Sequence, residues 1–384
     1  MLATDDTPQA AGRGFPATIF VALELSRKGW LVAIGRPSRA TASHHRIRSG
    51  DLPSLLDLLE RVRASEGELV GQPCRILSVY EAGYDGFWLH RRLVTAGIES
   101  QVLDPSSLRI DRRARRAKTD RLDVESLLRA LIQWRQGDRH ACRLVRVPSI
   151  ADEDAKRLHR ERRELIRERI RHVNRIKGLL VTHGIYDFEP LTPAAEQELL
   201  RLRTAEGHQL PGGMMRALQR ELERLALVVR QISAAEAERQ ERLATSNNPV
   251  GATMRQLAQL RAIGPEIATV LTTEVFYRKF NNRREVAAYS GLTPTPFASG
   301  NVQRDQGISK AGNAIARTTM IELAWLWLRH QPQSVLANWF RAKVGTNRGR
   351  IRRIAVVVLA RKLLIALWRY VTTGAVPPGA MMKA

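Results

Sequence analysis

Hydrophobic and polar positions change rhythm along this chain. Between residues 17 and 145, short apolar runs alternate with stretches of helical spacing. Thr-Ile-Phe-Val-Ala-Leu-Glu-Leu at 18–25, Trp-Leu-Val-Ala-Ile at 30–34, Arg-Ile-Leu-Ser-Val-Tyr at 75–80 and Glu-Ser-Gln-Val-Leu at 99–103 read as short buried strands. Leu55, Leu56, Leu58, Leu59 and Val62 recur at helical spacing over 54–64, and 86–96 and 119–134 read as further helices. The alternation predicts an α/β unit. After Pro148 the pattern becomes helical. Residues 156–181 place Leu158, Leu165, Ile166, Ile170, Val173, Ile176, Leu179 and Leu180 on one stripe among many arginines. Residues 184–213 carry prolines and glycines and read as a tip or insertion, and 214–245 return as a second long helix. Two such helices predict an antiparallel coiled-coil pair.

Asn-Asn-Pro-Val-Gly at 247–251 reads as a linker to a third, mostly helical region over 254–371. It begins with a helix, an Ile-Gly-Pro turn at 263–265 and a second helix opened by Pro265, a pattern similar to a helix–hairpin–helix motif. In that motif the turn, here Gly264, and the following amides hold a DNA phosphate. The expected organisation is a polar leader at 1–16, an α/β domain at 17–147, coiled-coil helices with an inserted tip at 148–250, and a helical C-terminal domain at 251–384.

Two glycines and two prolines in the eleven residues Ser-Gly-Leu-Thr-Pro-Thr-Pro-Phe-Ala-Ser-Gly at 290–300 predict an irregular loop between helices. Gly-Ile-Ser-Lys-Ala-Gly-Asn follows at 307–313. The loop carries Ser299, with Lys310 as a nearby cation. Ser290, Thr293, Thr295 and Ser309 are competing hydroxyls. Ser290 and Thr293 beside Gly291 are expected to satisfy turn amides, and Ser309 to cap the next helix.

Charge sharpens the picture. Sixty-two lysines and arginines stand against 38 acids, a net charge of +24. That excess points to a polyanionic partner, nucleic acid above all. Arg167, Arg171 and Arg175 on the first long helix are candidates for backbone contacts, with a solvated face as the plainer alternative. Cys74 and Cys142 form no metal motif, which fits a reduced, cytoplasmic setting. The N-terminus lacks the pattern of a signal peptide, and the apolar run at 354–371 is interrupted by Arg361 and Lys362, so no membrane role is expected.

Four acids in the α/β region form a candidate constellation. Glu24 lies in the first strand, Glu81 follows the strand at 75–80, and Asp120 and Asp123 open a helix three residues apart, on one face. Strand-end carboxylates facing a helical pair make a hard oxygen site suited to Mg²⁺, which can assist phosphoryl transfer. Taken singly, Asp120 answers a helix dipole and Glu81 is a turn residue. Their order and placement together favour the site.

Tyr-Glu-Ala-Gly at 80–83, Lys-Thr-Asp-Arg-Leu-Asp at 118–123, and the Ser-Gly-Leu-Thr-Pro, Ala-Ser-Gly and Gly-Ile-Ser-Lys-Ala-Gly-Asn stretches resemble motifs of the DEDD transposases of insertion sequences, of the 110/1111 type. The resemblance spans 20 to about 368. It implies a RuvC-like, ribonuclease-H-type N-terminal domain, a coiled coil, and a helical C-terminal domain carrying the nucleophile Ser299. It implies Mg²⁺ held by Glu24, Glu81, Asp120 and Asp123 and recombination guided by a structured bridge RNA; Lys118 and Lys310 are candidate nucleic-acid contacts, Lys310 for steadying charge on the phosphate. It also implies a homotetramer built as a dimer of dimers, with carboxylates from one subunit meeting the serine of another. The first acidic position is Asp in that family and Glu24 here, a longer arm in a site whose metal demands ligands at about 2.0–2.1 Å. Two other readings compete: a metal-dependent, structure-specific nuclease that attacks with water, and a non-catalytic nucleic-acid-binding remnant.

Overall fold

The computed structural model describes residues 17–108, 119–245, 249–299 and 302–383. They fall into two compact units that divide between Pro148 and Ser149. The regions expected at 148–250 and 251–384 both lie in the second.

The first unit is a five-stranded sheet in the order β3-β2-β1-β4-β5. Its strands are β1 (Thr18–Leu25), β2 (Trp30–Gly35), β3 (Ser43–Ile47), β4 (Arg75–Glu81) and β5 (Glu99–Leu103), with helices α1 (Leu52–Val70), α2 (Trp88–Thr95) and α3 (Asp120–Arg135). β1, β2 and β3 form an antiparallel meander, while β4 and β5 run parallel to β1. The central strands are near-continuous apolar runs because both sheet faces are covered. One face presents Ile19, Val21, Leu23, Ile76 and Tyr80 to Leu55 and Leu59 of α1 and to Leu89 and Leu93 of α2. The other presents Ala22, Leu77, Val79 and Leu103 to Val124, Leu127, Leu128 and Leu131 of α3. The helix expected at 54–64 runs longer, from Leu52 to Val70, because the Asp51 side chain caps it and left-handed Gly71 ends it.

The second unit is helical around one hairpin. Ser149 forms a capping box with Asp152 and opens α4 (Ile150–Ala155), which leads into α5 (Arg157–Val181). α6 (Ala195–Arg201) lies in the expected tip, and α7 (Gly212–Thr245) returns along α5. Arg162 near the start of α5 pairs with Glu236 near the end of α7, and His172 further along α5 pairs with the earlier Glu221 at 2.7 Å, so the two helices are antiparallel. Ile176 and Leu180 pack on Leu218 and Leu222, and Leu165 on Val228 and Ile232. Ile170, expected on the buried stripe, is half exposed.

The expected linker at 247–251 is helical from Pro249. Proline is suited to a first helical turn, and α8 (Pro249–Ala258) starts there. α9 (Pro265–Leu271) follows with Gly264 as its N-cap and passes into one π-helical turn, Thr272–Phe276. Then come α10 (Arg283–Tyr289), β6 (Pro294–Ser299), β7 (Val302–Ile308), α11 (Ala314–His330), α12 (Val335–Val344) and α13 (Arg350–Thr373). β6 and β7 pair antiparallel, so the stretch expected as an irregular loop is largely a hairpin. Its prolines are tolerated because both strands are edges and the register shifts between Pro294 and Pro296. α8, α9, α11 and α13 enclose the core, with Trp327, Leu323 and Leu363 fully buried. Among the described residues no helix is long and apolar enough to cross a membrane.

Candidate active site

Strand register decides where the acids point. Leu23 of β1 lies opposite Tyr80 of β4. The next residue on each strand is Glu24 and Glu81, and successive residues alternate between sheet faces. Glu24 therefore continues the face of Ala22, and Glu81 that of Leu77 and Val79, which is the face α3 covers. Glu81 is held at the end of its strand by pairing with Leu103, and Ala82 N donates to Leu103 O at 2.9 Å. The Tyr80 hydroxyl donates to Gly86 O at 3.1 Å and fixes the turn beyond it.

α3 brings the other two acids to the same end. Thr119 caps it, its hydroxyl accepting from Leu122 N at 3.3 Å, and Asp120 and Asp123 occupy the first turn. Asp120 is exposed and Asp123 half-buried. Glu24 and Asp120 line one cavity of about 400 Å³, together with Lys28, Arg46 and Arg48. Those cations bring positive charge to the wall that the acids share. Carboxylate oxygens are the donors a hard divalent cation takes. Among the described residues, no three acidic, histidine or cysteine side chains already stand close enough to hold one. Lys118 lies outside the described residues.

The second candidate centre is the β6–β7 hairpin. Ser299 pairs with Val302 at its far end, and Gly300 lies outside the described residues. The base of the hairpin is tightly braced. Ser309 N donates to Thr293 O at 2.9 Å, Lys310 N to Gly291 O at 3.2 Å and Asn313 N to Tyr289 O at 2.8 Å. Gly291 and Gly312 have φ of +66° and +87°, and a Cβ on either would overlap a backbone oxygen, of Ala311 or of Tyr289. Only glycine fits both demands. Lys310 is exposed and itself left-handed, φ 56°, with its carbonyl held by Arg317 Nη1 at 2.8 Å. A non-glycine residue kept in that region is backbone strain at the hairpin's edge.

The structure reassigns three hydroxyls, among them Thr293, expected to satisfy a turn amide, which donates to the Ser309 hydroxyl instead. Ser309 does not cap the following helix: Asn313 does, its Oδ1 accepting from Ala316 N at 3.0 Å, and the Ser309 hydroxyl instead accepts from Thr293 at 3.3 Å. Ser290 is buried and donates to Ala287 O at 3.0 Å, so it satisfies a carbonyl rather than a turn amide.

One cluster had no counterpart in the sequence reading. Glu274, in the π-helical turn, is fully buried. It accepts from His159 Nε2 at 2.8 Å, from Arg160 through both oxygens at 2.7 and 3.0 Å, and from Asn313 Nδ2 at 2.8 Å. Burial alone would raise its pKa, but the hydrogen bonds from His159 and Arg160, the Arg160 charge and the Asn313 amide outweigh burial and hold it well below the usual carboxylate range. Asn313 thus joins two tasks, capping α11 beside the hairpin and binding a carboxylate that is also gripped by α5. The available signal was a lone acid in the run Ile-Ala-Thr-Val-Leu-Thr-Thr-Glu-Val-Phe at 267–276, since a charge in a buried helix requires partners. Arg167, Arg171 and Arg175 are exposed on α5, with Arg175 Nε 3.4 Å from Glu221.

Comparison with known proteins identifies the family. Residues 30–185 match a DEDD transposase family model of the IS110 type, and 254–337 match the transposase IS116/IS110/IS902 family. Glu81, Asp120 and Asp123 fall within the first match and Ser299 within the second, while Glu24 precedes both. A transposase of Sinorhizobium fredii, y4rJ, is 45% identical over the full length of both chains. The transposase for insertion sequence element IS1328 of Yersinia enterocolitica is 27% identical over 79% of this chain and 85% of its own. The transposase for IS1111A of Coxiella burnetii is 25% identical over 74% of each. With an α/β unit carrying the acidic motif, a helical unit carrying the serine hairpin, and a full-length relative at this identity, the chain belongs to the IS110 family of insertion-sequence transposases.

Proposed function

We propose that this transposase cuts and rejoins DNA through a serine–DNA phosphodiester intermediate, with Mg²⁺ at its acidic site and a structured RNA guiding the choice of DNA. The observation that carries the reading is the register that sets Glu24 beside Glu81 on the face where α3 contributes Asp120 and Asp123. These four carboxylates would hold the metal. Bound there, Mg²⁺ would stabilise the charge that builds on the phosphate and on the departing oxygen. The Ser299 hydroxyl gives up its proton as Oγ forms the new bond to phosphorus, the bond from phosphorus to one sugar oxygen breaks, and that oxygen takes up a proton. Rejoining reverses the exchange with a different strand. An unassisted serine is a weak nucleophile, so the hairpin must meet a base or an acidic centre. The acids and the serine stand in different units, which fits a site shared between subunits of a tetramer arranged as a dimer of dimers. In this reading the sheet unit is RuvC-like, α5 and α7 form a coiled coil, and the α8–α9 turn at Gly264 is a helix–hairpin–helix that meets a DNA phosphate. Lys118, Lys310, Arg167, Arg171 and Arg175 contact nucleic acid backbone, and the protein works in the cytoplasm at the nucleoid.

The test is a covalent adduct. The parent with Mg²⁺ and its element's DNA ends is expected to yield a protein–DNA species that survives denaturation, and Ser299→Ala to yield none while still binding DNA. Ser309→Ala should still form it. An adduct that persists in Ser299→Ala and vanishes in Ser309→Ala would move the nucleophile. DNA cutting by the parent without any adduct would favour the water-attacking nuclease. Glu24 is tested separately: Glu24→Asp is expected to match or exceed the parent in strand transfer, and parental activity in Glu24→Ala would remove residue 24 from the site.

A further inference from the structure

At the opposite end of α3 from Asp120 lies a larger cavity, of about 870 Å³. It is bounded by the starts of β1 and β4, the loop between β2 and β3, and the C-terminal half of α3. Five arginines line it: Arg36 and Arg39 from the loop, Arg75 from β4, and Arg129 and Arg135 from α3. Its one carboxylate, Glu125, is already engaged by His44 at 3.2 Å and Arg121 at 3.1 Å. Arg75 Nε donates to Thr18 Oγ1 at 2.8 Å. Among the described residues, the other four arginines have no acidic partner, and Arg36 Nε is buried without a hydrogen bond. The unneutralised charge reaches beyond the cavity: His45 is pushed below its usual pKa by burial and then by Arg36.

The wall is built rather than incidental. Glu66 of α1 is fully buried, and its two oxygens accept from Ser38 N and Ser38 Oγ, both at 2.7 Å. A buried carboxylate therefore pins the loop on which Arg36 and Arg39 flank Ser38. Arg36 and Arg75 are half-buried and Arg39, Arg129 and Arg135 exposed at the rim, and guanidinium forks gathered around a concavity match phosphate oxygens. The volume is that of a small-ligand site, about 300–1,000 Å³. A double helix, whose major groove alone is about 12 Å wide, does not enter such a space, but a single strand's backbone does. Phe20 is the aromatic residue in the lining, and it is half-buried under α3, so the cavity offers no platform for stacked bases. At about 1.5 Å per residue, Arg129 and Arg135 lie roughly 14 to 22 Å along α3 from Asp120.

We propose that this arginine cavity is a second nucleic-acid site, gripping the phosphodiester backbone of a single strand without reading its bases, away from the acids. The site serves the nucleic-acid handling proposed above, but its test needs neither metal nor serine and is separable from that reading. Affinity of the full chain for single-stranded RNA and DNA oligonucleotides is measured across salt concentrations without divalent metal. For single strands each lost phosphate contact lowers the slope of log affinity against log salt by about 0.7. Arg36→Gln combined with Arg129→Gln is expected to lower the slope by about 1.4 and to weaken binding at least about tenfold at low salt, with unchanged thermal melting. Arg63→Gln, on α1 outside the cavity, should change neither. Loss confined to RNA names RNA as the bound strand, and loss confined to DNA names DNA; either supports the site. An unchanged slope overturns it, as does equal loss for duplex DNA. Competition by a mononucleotide as effective as by the oligomer would make it a nucleotide pocket and overturn it too.

Discussion

Asp120→Ala and Asp123→Ala are each expected to abolish strand transfer while leaving thermal melting close to that of the parent. Both sit in the first turn of α3, one exposed and one half-buried, so neither carries packing. Losing an acid that answers a helix dipole costs only about 0.3–1 kcal/mol. Losing a ligand of the metal that stabilises a phosphoryl transition state costs several kcal/mol. Every ~4 kcal/mol is about a thousandfold in rate. The two costs differ enough to be told apart: activity falls by about 10³-fold or more and stability barely moves. Strand transfer at the parental rate in both variants would show that the helix end is only capped and charged.

Glu274→Ala should fail in the opposite way, through stability first. Truncation leaves buried His159, half-exposed Arg160 and partly buried Asn313 without their acceptor. Removing one partner of a buried ionic cluster costs about 3–5 kcal/mol. For a unit of this size, 1 kcal/mol shifts melting by about 2–4 °C, so a drop of roughly 10 °C is expected. The pH dependence supplies an independent reading. Glu274 has a folded pKa below its ordinary value of 4.5, so its contribution is full above that value. As pH falls, the unfolded chain takes the proton first and the contribution is progressively lost. The parent should therefore lose stability below about pH 4.5 more steeply than Glu274→Ala. His159, Arg160 and Asn313 bond the carboxylate, and buried Lys156 lies close enough to feel its charge. Parallel acid-side curves for parent and variant would show that the cluster does not favour the charged form.

The sheet was legible because its central strands are buried on both faces and read as apolar runs. β3, Ser-His-His-Arg-Ile, was not: as an edge strand it needs no apolar alternation. α4 has a readable start in Ser149 and Asp152, but its six residues are too short and polar to show helical periodicity. The β6–β7 hairpin was hidden by its prolines, which argue against central strands but not against paired edges. Of the candidate site, the sequence supplied the acids and their order. The face they share needed the Leu23–Tyr80 register. The Glu274 cluster was illegible as a cluster because its partners are distant along the chain, Arg160 by 114 residues, His159 by 115 and Asn313 by 39.

The two glycines at the hairpin base bear on how copies of such an element decay. Gly291 and Gly312 supply no chemical group, yet each sits where any side chain strikes the opposing backbone and where the left-handed conformation disfavours replacement. A single missense change at either position would disturb the base of the serine hairpin while the codons of every acid and of the serine stayed unchanged. Reading a copy as live from its catalytic letters alone would then misjudge it. The spelling of these two silent positions is as good a record of whether it can still act.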